Sequence, residues 1–342
     1  MRLDRKSLQL GLELIAVAAH AIAAAETKTL RVSAYLPAHS RSVARVMIPW
    51  LDRIEQAADG ALAFERYWGG SLGRGPQRQV LLVEAGVTDV AFLWPGMTPG
   101  RYPDLQIFET PLLVRTAAEG SLLAWRLYEE GLLRGFEDVE VLGFYTVAPA
   151  RLFTVEPYQP ATEMPRFKIR TVGPVQANFV RRLGALPETL EASAVSDALR
   201  RGTIDGLIQG WTGMQTFRQY REARYVVDVP AGVSVFALVM HRNTWRRLDG
   251  DTRSLFRSLS GESLALAGGR AFDEETETIS RDLVAGGHVE PLTVTDEDRR
   301  RFAAWGAAVL EDWVGDDPHR HGVQKRAIEL LGEIRAVPET PR

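Results

Sequence analysis

Apolar and polar positions alternate through Leu30, Val32 and Ala34 until the chain reaches Leu36-Pro37, which predicts a strand there. Behind Ser40, a capping residue, the spacing widens to that of a helix. Val43, Val46, Met47, Trp50, Leu51 and Ile54 then share one face. Pro49 lies inside this pattern and should kink or interrupt it, because it has no N–H to give to the preceding turn. Asp59-Gly60 closes the helix, and Ala61 to Trp68 reads as the next strand. Gly69 to Gly73 is a turn, Gln79 to Glu84 belongs to a second helix, and Asp89 to Leu93 is a third strand. The order β-α-β-α-β is the pattern of a parallel sheet with crossover helices.

The rhythm resumes downstream. Val139 to Tyr145, Lys168 to Thr171, Gly206 to Gln209 and Phe236 to His241 are strand-length apolar runs. Val175 to Leu183 and Ser193 to Arg201 are helical between them. A long helical pattern covers Glu262 to Leu283, broken only at Gly268-Gly269, and the tail repeats amphipathic spacing over Asp296 to Trp313 and Val323 to Ile334. No internal repeat or flexible linker separates the pieces. The expected fold class is α/β, with two lobes joined by strands, each a mostly parallel sheet flanked by helices. A ligand would sit in the cleft between them, beyond the carboxyl ends of the strands.

Composition narrows the function. With 342 residues, 45% of them hydrophobic and 25% charged, the chain is long enough for two packed domains. The net charge of -3 comes without a basic stripe, so a nucleic-acid partner is not expected. There is no cysteine, hence no disulfide, no thiolate zinc site and no lipid-modified cysteine. Arg2, Arg5 and Lys6, the apolar stretch Leu8 to Ala24 and the small residues Ala23-Ala24-Ala25 have the layout of a secretory signal peptide over residues 1–25. Nothing later in the chain matches the ~20 apolar residues of a membrane span, and an exported, soluble mature chain is expected.

The chain carries no G-x-S-x-G, no P-loop and no G-x-G-x-x-G behind a strand; Gly69 to Gly75 is glycine-rich without a phosphate-cradle spacing. His319 and His321 stand two apart, a spacing that does not share a helix face, and read as solvated side chains rather than metal ligands. No catalytic constellation is visible, and neither an enzymatic activity, a metal nor a cofactor is expected. Two arginines stand out. Arg170 closes the strand Phe167 to Arg170 directly before the turn Thr171-Val172-Gly173-Pro174, where a planar cationic fork beside a helix N-terminus suits a carboxylate. Arg151 follows Ala148-Pro149-Ala150, where the chain leaves the first lobe, and would approach the same cleft from the hinge. Each arginine taken alone reads more readily as a surface or structural ion pair.

Several segments together resemble one family. Phe167 to Arg170, Arg182 to Ala185 and Ala198 to Gly206 are similar to the second-lobe signature of the DctP-type solute-binding proteins of TRAP transporters. Trp68 to Gly73, Glu84 to Ala91, Pro99 to Pro103 and Glu109 to Leu113 resemble its first-lobe pattern, in the same order along the chain. The resemblance implies a periplasmic binding-protein fold with a long late helix linking the lobes, lobe I from 26–148 plus about 236–275 and lobe II from 149–235 plus about 276–335. It also implies a monomeric periplasmic protein that passes a small organic acid to TRAP integral-membrane subunits. The arginine ending the K-I-R strand, here Arg170, would pair with the substrate carboxylate, assisted by Arg151. The stretch Leu207 to Trp211 falls where family members face the substrate, and here Gln209-Gly210-Trp211 departs from the usual residues. Gln209 and Trp211 are therefore expected at the ligand, with Trp94 after the third strand and His39 after the first. Asp89 and Asp205 read as structural acceptors. Trp94, Trp211 and the shortage of further cations favour a mono-acid with an apolar or aromatic body. The same fold serving a sensory receptor, or an exported α/β enzyme, are the competing readings.

Overall fold

A computed structural model describes residues 27–159, 164–190 and 192–336; the expected signal peptide lies outside them. The chain opens with β1 (Lys28–Ser33), then a wide π-type turn over Ser42–Met47 that runs straight into α1 (Ile48–Ala57). Pro49 sits at the start of α1, and the wide turn before it takes the place of the expected kink. β2 (Leu62–Tyr67), α2 (Pro76–Glu84), β3 (Val90–Leu93), α3 (Ala117–Glu129) and β4 (Val139–Thr146) follow. The chain then crosses to a second sheet with β5 (Arg151–Thr154), β6 (Lys168–Thr171), α4 (Pro174–Arg182), β7 (Leu186–Thr189), α5 (Ala192–Arg200), β8 (Gly206–Gln209), the short helix α6 (Trp211–Thr216) and β9 (Tyr225–Val227). It returns through β10 (Val235–His241), α7 (Arg242–Arg247) and α8 (Gly250–Leu259) to α9 (Gly261–Ala285), and ends in β11 (Glu290–Pro291), α10 (Asp296–Val314) and α11 (Pro318–Ala336).

Each lobe is built on one sheet, ordered β2-β1-β3-β10-β4 in the first and β11-β9-β5-β8-β6-β7 in the second. Both sheets are mixed. β10 runs antiparallel to β3 and β4, and β5 antiparallel to β8 and β9, while the remaining pairs are parallel. The antiparallel strands are the ones next to the lobe crossings. There the segments before β5 and before β10 bond to each other, Ala150 N to the Gly232 carbonyl at 2.8 Å and Ala231 N to the Ala150 carbonyl at 2.9 Å. The hinge is thus a short two-stranded ribbon.

α9 crosses between the lobes a third time. Leu264 and Phe272 enter the core of the first lobe, and Ile279 and Leu283 enter that of the second. Its two glycines do not break it. A Cβ on Gly269 would lie 2.4 Å from the Ala118 Cα and one on Gly268 would lie 2.7 Å from the Tyr145 Cβ, so both are notches for close packing. Residues 276–335 do not stay with the second sheet as expected. α10 packs on α4, but α11 returns to α3 of the first lobe, held there by Arg335 on the Glu119 carboxylate at 2.6 Å. Among the described residues no helix is long and apolar enough to cross a membrane.

Candidate functional site

A cavity of about 370 Å³ opens between the lobes. From the first lobe it is walled by Tyr35 and Leu36 just past β1, Trp94 just past β3, Met97, and Phe236 at the start of β10. The second lobe supplies Arg170 at the end of β6, Val172, Gln209 at the end of β8, and Thr212 and Phe217 beyond it. Phe272 of α9 closes one side. Tyr35, Trp94, Val147, Arg170 and Gln209 stand at or just past strand ends, where open α/β sheets hold their ligands, and the π turn, the start of α2, α6, Phe236 and Phe272 complete the wall. Trp94 leans on Phe236 with ring centroids 5.6 Å apart, so the aromatic wall is itself braced.

Arg170 is the centre of this wall. Its side chain is 1% exposed, and its guanidinium donates from Nε to the Leu190 carbonyl at 2.9 Å and from Nη1 to the Ile208 carbonyl at 3.5 Å. Among the described residues no carboxylate pairs with it. Desolvation alone pushes its pKa down to about 10, so it stays charged at neutral pH while lacking a counter-charge. A buried cation in that condition is costly unless something anionic joins it.

Gln209 is held rather than free. Its Nε2 donates to Gln219 Oε1 at 3.1 Å, and its amide end lies over Gly213, where a Cβ would fall 2.6 Å from the Gln209 Cδ. Arg41, in the turn before the π segment, also lines the cavity. Its guanidinium reaches Glu275 of α9 in an ion pair and Gln215 Oε1 of α6 at 2.8 Å. Among the described residues the charged side chains of the wall are therefore two arginines, one compensated and one not.

Beside the cavity, sharing Trp94, Val172 and Ser234 with it, Glu109 of the first lobe reaches into the second. Its Oε2 accepts from the backbone amides of Val175 at 3.1 Å and Gln176 at 3.3 Å, the first turn of α4. Burial raises its pKa to about 7 against these two amides, which pull the other way. A Cβ on Gly173 would fall 1.9 Å from Glu109 Oε1, so a side chain there would push the carboxylate off the α4 amides.

Of the six residues expected at the ligand, the structure brings Arg170, Trp94 and Gln209 to one cavity. It takes the other three elsewhere. Arg151 lies outside the wall; its Nε donates to Asp228 at 2.5 Å and its Nη1 to the Pro149 carbonyl at 2.7 Å, so it braces the hinge as an ion pair. Trp211 is 5% exposed and packs edge-on against Phe153 at 5.0 Å in the second lobe's core, because the chain turns into α6 at Gly210 and swings the indole inward. His39 is exposed in the loop after β1 and does not line the cavity. His319, two residues from His321, faces the Leu132 carbonyl at 3.1 Å and the buried Asp104 at 3.4 Å; no group of three or more potential metal ligands forms among the described residues. Asp89 and Asp205 do serve the backbone, accepting from Arg31 N at 2.9 Å and Lys168 N at 2.8 Å. Tyr35, Arg41, Phe236 and Phe272 are the wall residues that sequence reasoning passed over. Tyr35 follows β1 as Trp94 follows β3, and the same end-of-strand logic finds it.

The model of the DctP family, bacterial extracellular solute-binding protein family 7, matches residues 32–315. Among curated proteins the chain is similar to the outer membrane transporter protein TsaT of Comamonas testosteroni, 22% identical over 302 residues that span 86% of this chain and 88% of the other. Among solved structures it superimposes on a marine metagenome TRAP solute-binding protein specific for aromatic acid ligands, in complex with 3-hydroxybenzoate. That match has a TM-score of 0.81 and 23% identity, covering 90% of this chain and 98% of that one. A TRAP solute-binding protein from Rhodoferax ferrireducens, with copurified benzoate, matches with a TM-score of 0.81 and 22% identity over 90% and 98% of the two chains. At these identities the structural likenesses establish the shared fold.

Proposed function

The chain belongs to family 7 of the bacterial extracellular solute-binding proteins, a family of binding proteins rather than enzymes, and on that premise we propose that it captures a small aromatic monocarboxylate between its lobes. The observation that carries this reading is the state of Arg170: a buried guanidinium on the cavity wall, with carbonyl partners and no carboxylate among the described residues. An incoming carboxylate supplies the missing charge and accepts from the fork bidentately. Trp94, Tyr35, Phe236 and Phe272 give the acid's body an apolar, ring-lined seat, and Gln209 with Thr212 offers polar contacts at its edge. The related structures that hold 3-hydroxybenzoate and benzoate support the choice of ligand class.

In this reading the protein works in the periplasm and hands its ligand to TRAP integral-membrane subunits, as those relatives' description as TRAP solute-binding proteins supports. Closure about the hinge ribbon expels water and strengthens the Arg170 pair. Titration calorimetry with benzoate, 3-hydroxybenzoate and an aliphatic dicarboxylate tests the ligand class. The aromatic acids bind, and Arg170→Gln weakens them by about 2–5 kcal/mol, the cost of a desolvated charge pair losing one partner. Tight binding of the dicarboxylate alone, or unchanged affinity in Arg170→Gln, overturns the proposal.

A further inference from the structure

We propose that Glu275 sets the charge selectivity of the cavity, by neutralising Arg41 so that one cation, Arg170, is left for the ligand. The inference rests on the carboxylate reading above. Among the described residues two arginines line the wall, and no acidic side chain does. A cavity so lined would bind diacids unless one cation were spoken for. Glu275 does that from just behind the wall. It stands one helical turn beyond Phe272, on the same face of α9, so its carboxylate comes to the cavity's edge where Arg41 arrives from the first lobe. The Glu275 side chain is 13% exposed and that of Arg41 36%, so the pair is shielded enough to hold its geometry but close enough to the mouth to be broken. Gln215 takes a second guanidinium N–H at 2.8 Å and fixes the fork away from the ligand.

The consequence is a selectivity that a single substitution should invert. Glu275→Gln keeps the size of the side chain and an acceptor for Arg41, but removes the negative charge. Arg41 then faces the cavity as an uncompensated cation, and a ligand with a second carboxylate gains a partner that a mono-acid cannot use. Benzoate, isophthalate and terephthalate are the probes, since the two diacids direct their second carboxylate at different angles from the ring. In wild type benzoate binds and the diacids bind less tightly. In Glu275→Gln the ratio of diacid to benzoate affinity rises by about tenfold or more for at least one diacid. The double variant Arg41→Gln/Glu275→Gln returns the ratio to that of wild type. Arg41→Gln alone leaves Glu275 unpaired at the cavity's edge and lowers the ratio below wild type, which provides a second reading if Glu275→Gln folds poorly. Wild type that binds benzoate, with a ratio moving less than about twofold in Glu275→Gln or a gain that survives loss of Arg41, overturns the inference. Failure of wild type to bind any aromatic acid instead overturns the carboxylate reading beneath it.

Discussion

At the scale of single residues, the molecule keeps one charge in an unfavourable place. Desolvation pulls the Arg170 pKa below the ordinary guanidinium range to about 10, a difference on the order of 3 kcal/mol against the charged form. That penalty is present at every pH below the folded value, so replacing the guanidinium with an apolar side chain of similar length relieves it. Arg170→Met is expected to raise the melting temperature of the ligand-free protein while abolishing benzoate binding, a stability–function trade-off. Thermal denaturation of both forms with and without benzoate checks it; a ligand-free variant that melts below wild type contradicts the account. The place of Arg170 on the cavity wall was legible in the sequence because it ends a strand before the turn at Gly173-Pro174, where open α/β sheets have their cleft. Arg151 looked similar and is not, since nothing local shows that Asp228, far along the chain, returns to meet it. Trp211 misled for a different reason. A tryptophan after a strand end points to the cleft only if the chain stays extended, and here it turns into α6.

At the scale of elements, α4 is the piece that couples the lobes to the clamp. Its first turn follows Arg170 by four residues and is capped by Glu109 from the other lobe. An acidic cap at a helix N-terminus is favourable, yet burial dominates and lifts this carboxyl from 4.5 to about 7. The groups facing it, Gly96, Leu105, Val172, Gln176 and the Val233–Val235 segment, do not titrate. A carboxyl whose folded pKa is raised is stabilising while protonated, so its contribution is fully present below about pH 4.5 and is lost as pH rises through about 7. The loss is on the order of 3 kcal/mol. Glu109→Gln keeps an acceptor and removes the ionisation. Urea unfolding of the two proteins should therefore diverge as pH rises from about 5 to about 8, with the variant increasingly the more stable. Parallel profiles contradict it. Most elements were readable from periodicity, because strands and helices here keep their apolar faces in register. The exceptions depended on distant partners. Gly268-Gly269 reads as a break although Tyr145 and Ala118 fill the space beside it, while β7 is exposed along most of its length and β9 has only three residues.

At the scale of the whole molecule, four chain crossings and polar links between side chains and the facing lobe hold the lobes. The hinge ribbon, α9 and the α10–α11 connection carry the crossings; Glu109 on α4 and Arg41 on Gln215 are among the links. The Arg41–Gln215 bond lies at the cleft itself, so it favours the closed arrangement. Gln215→Ala is expected to shift ligand-free protein towards open forms, read as a larger radius of gyration in small-angle scattering, and excess benzoate should restore compactness. Identical scattering from the two ligand-free proteins contradicts that role. Two lobes and a cleft followed from the order of elements, whereas the return of α11 to α3 did not, because an amphipathic tail helix fits either lobe.

The central claim is that a carboxylate completes Arg170. The most direct measurement is a crystal structure of the protein with benzoate. The account predicts the benzoate carboxylate on the Arg170 guanidinium, with N–O distances of about 2.7–2.9 Å and the ring against Trp94 and Phe236. Benzoate bound with its carboxylate elsewhere, and Arg170 still engaged only by the Leu190 and Ile208 carbonyls, would contradict it.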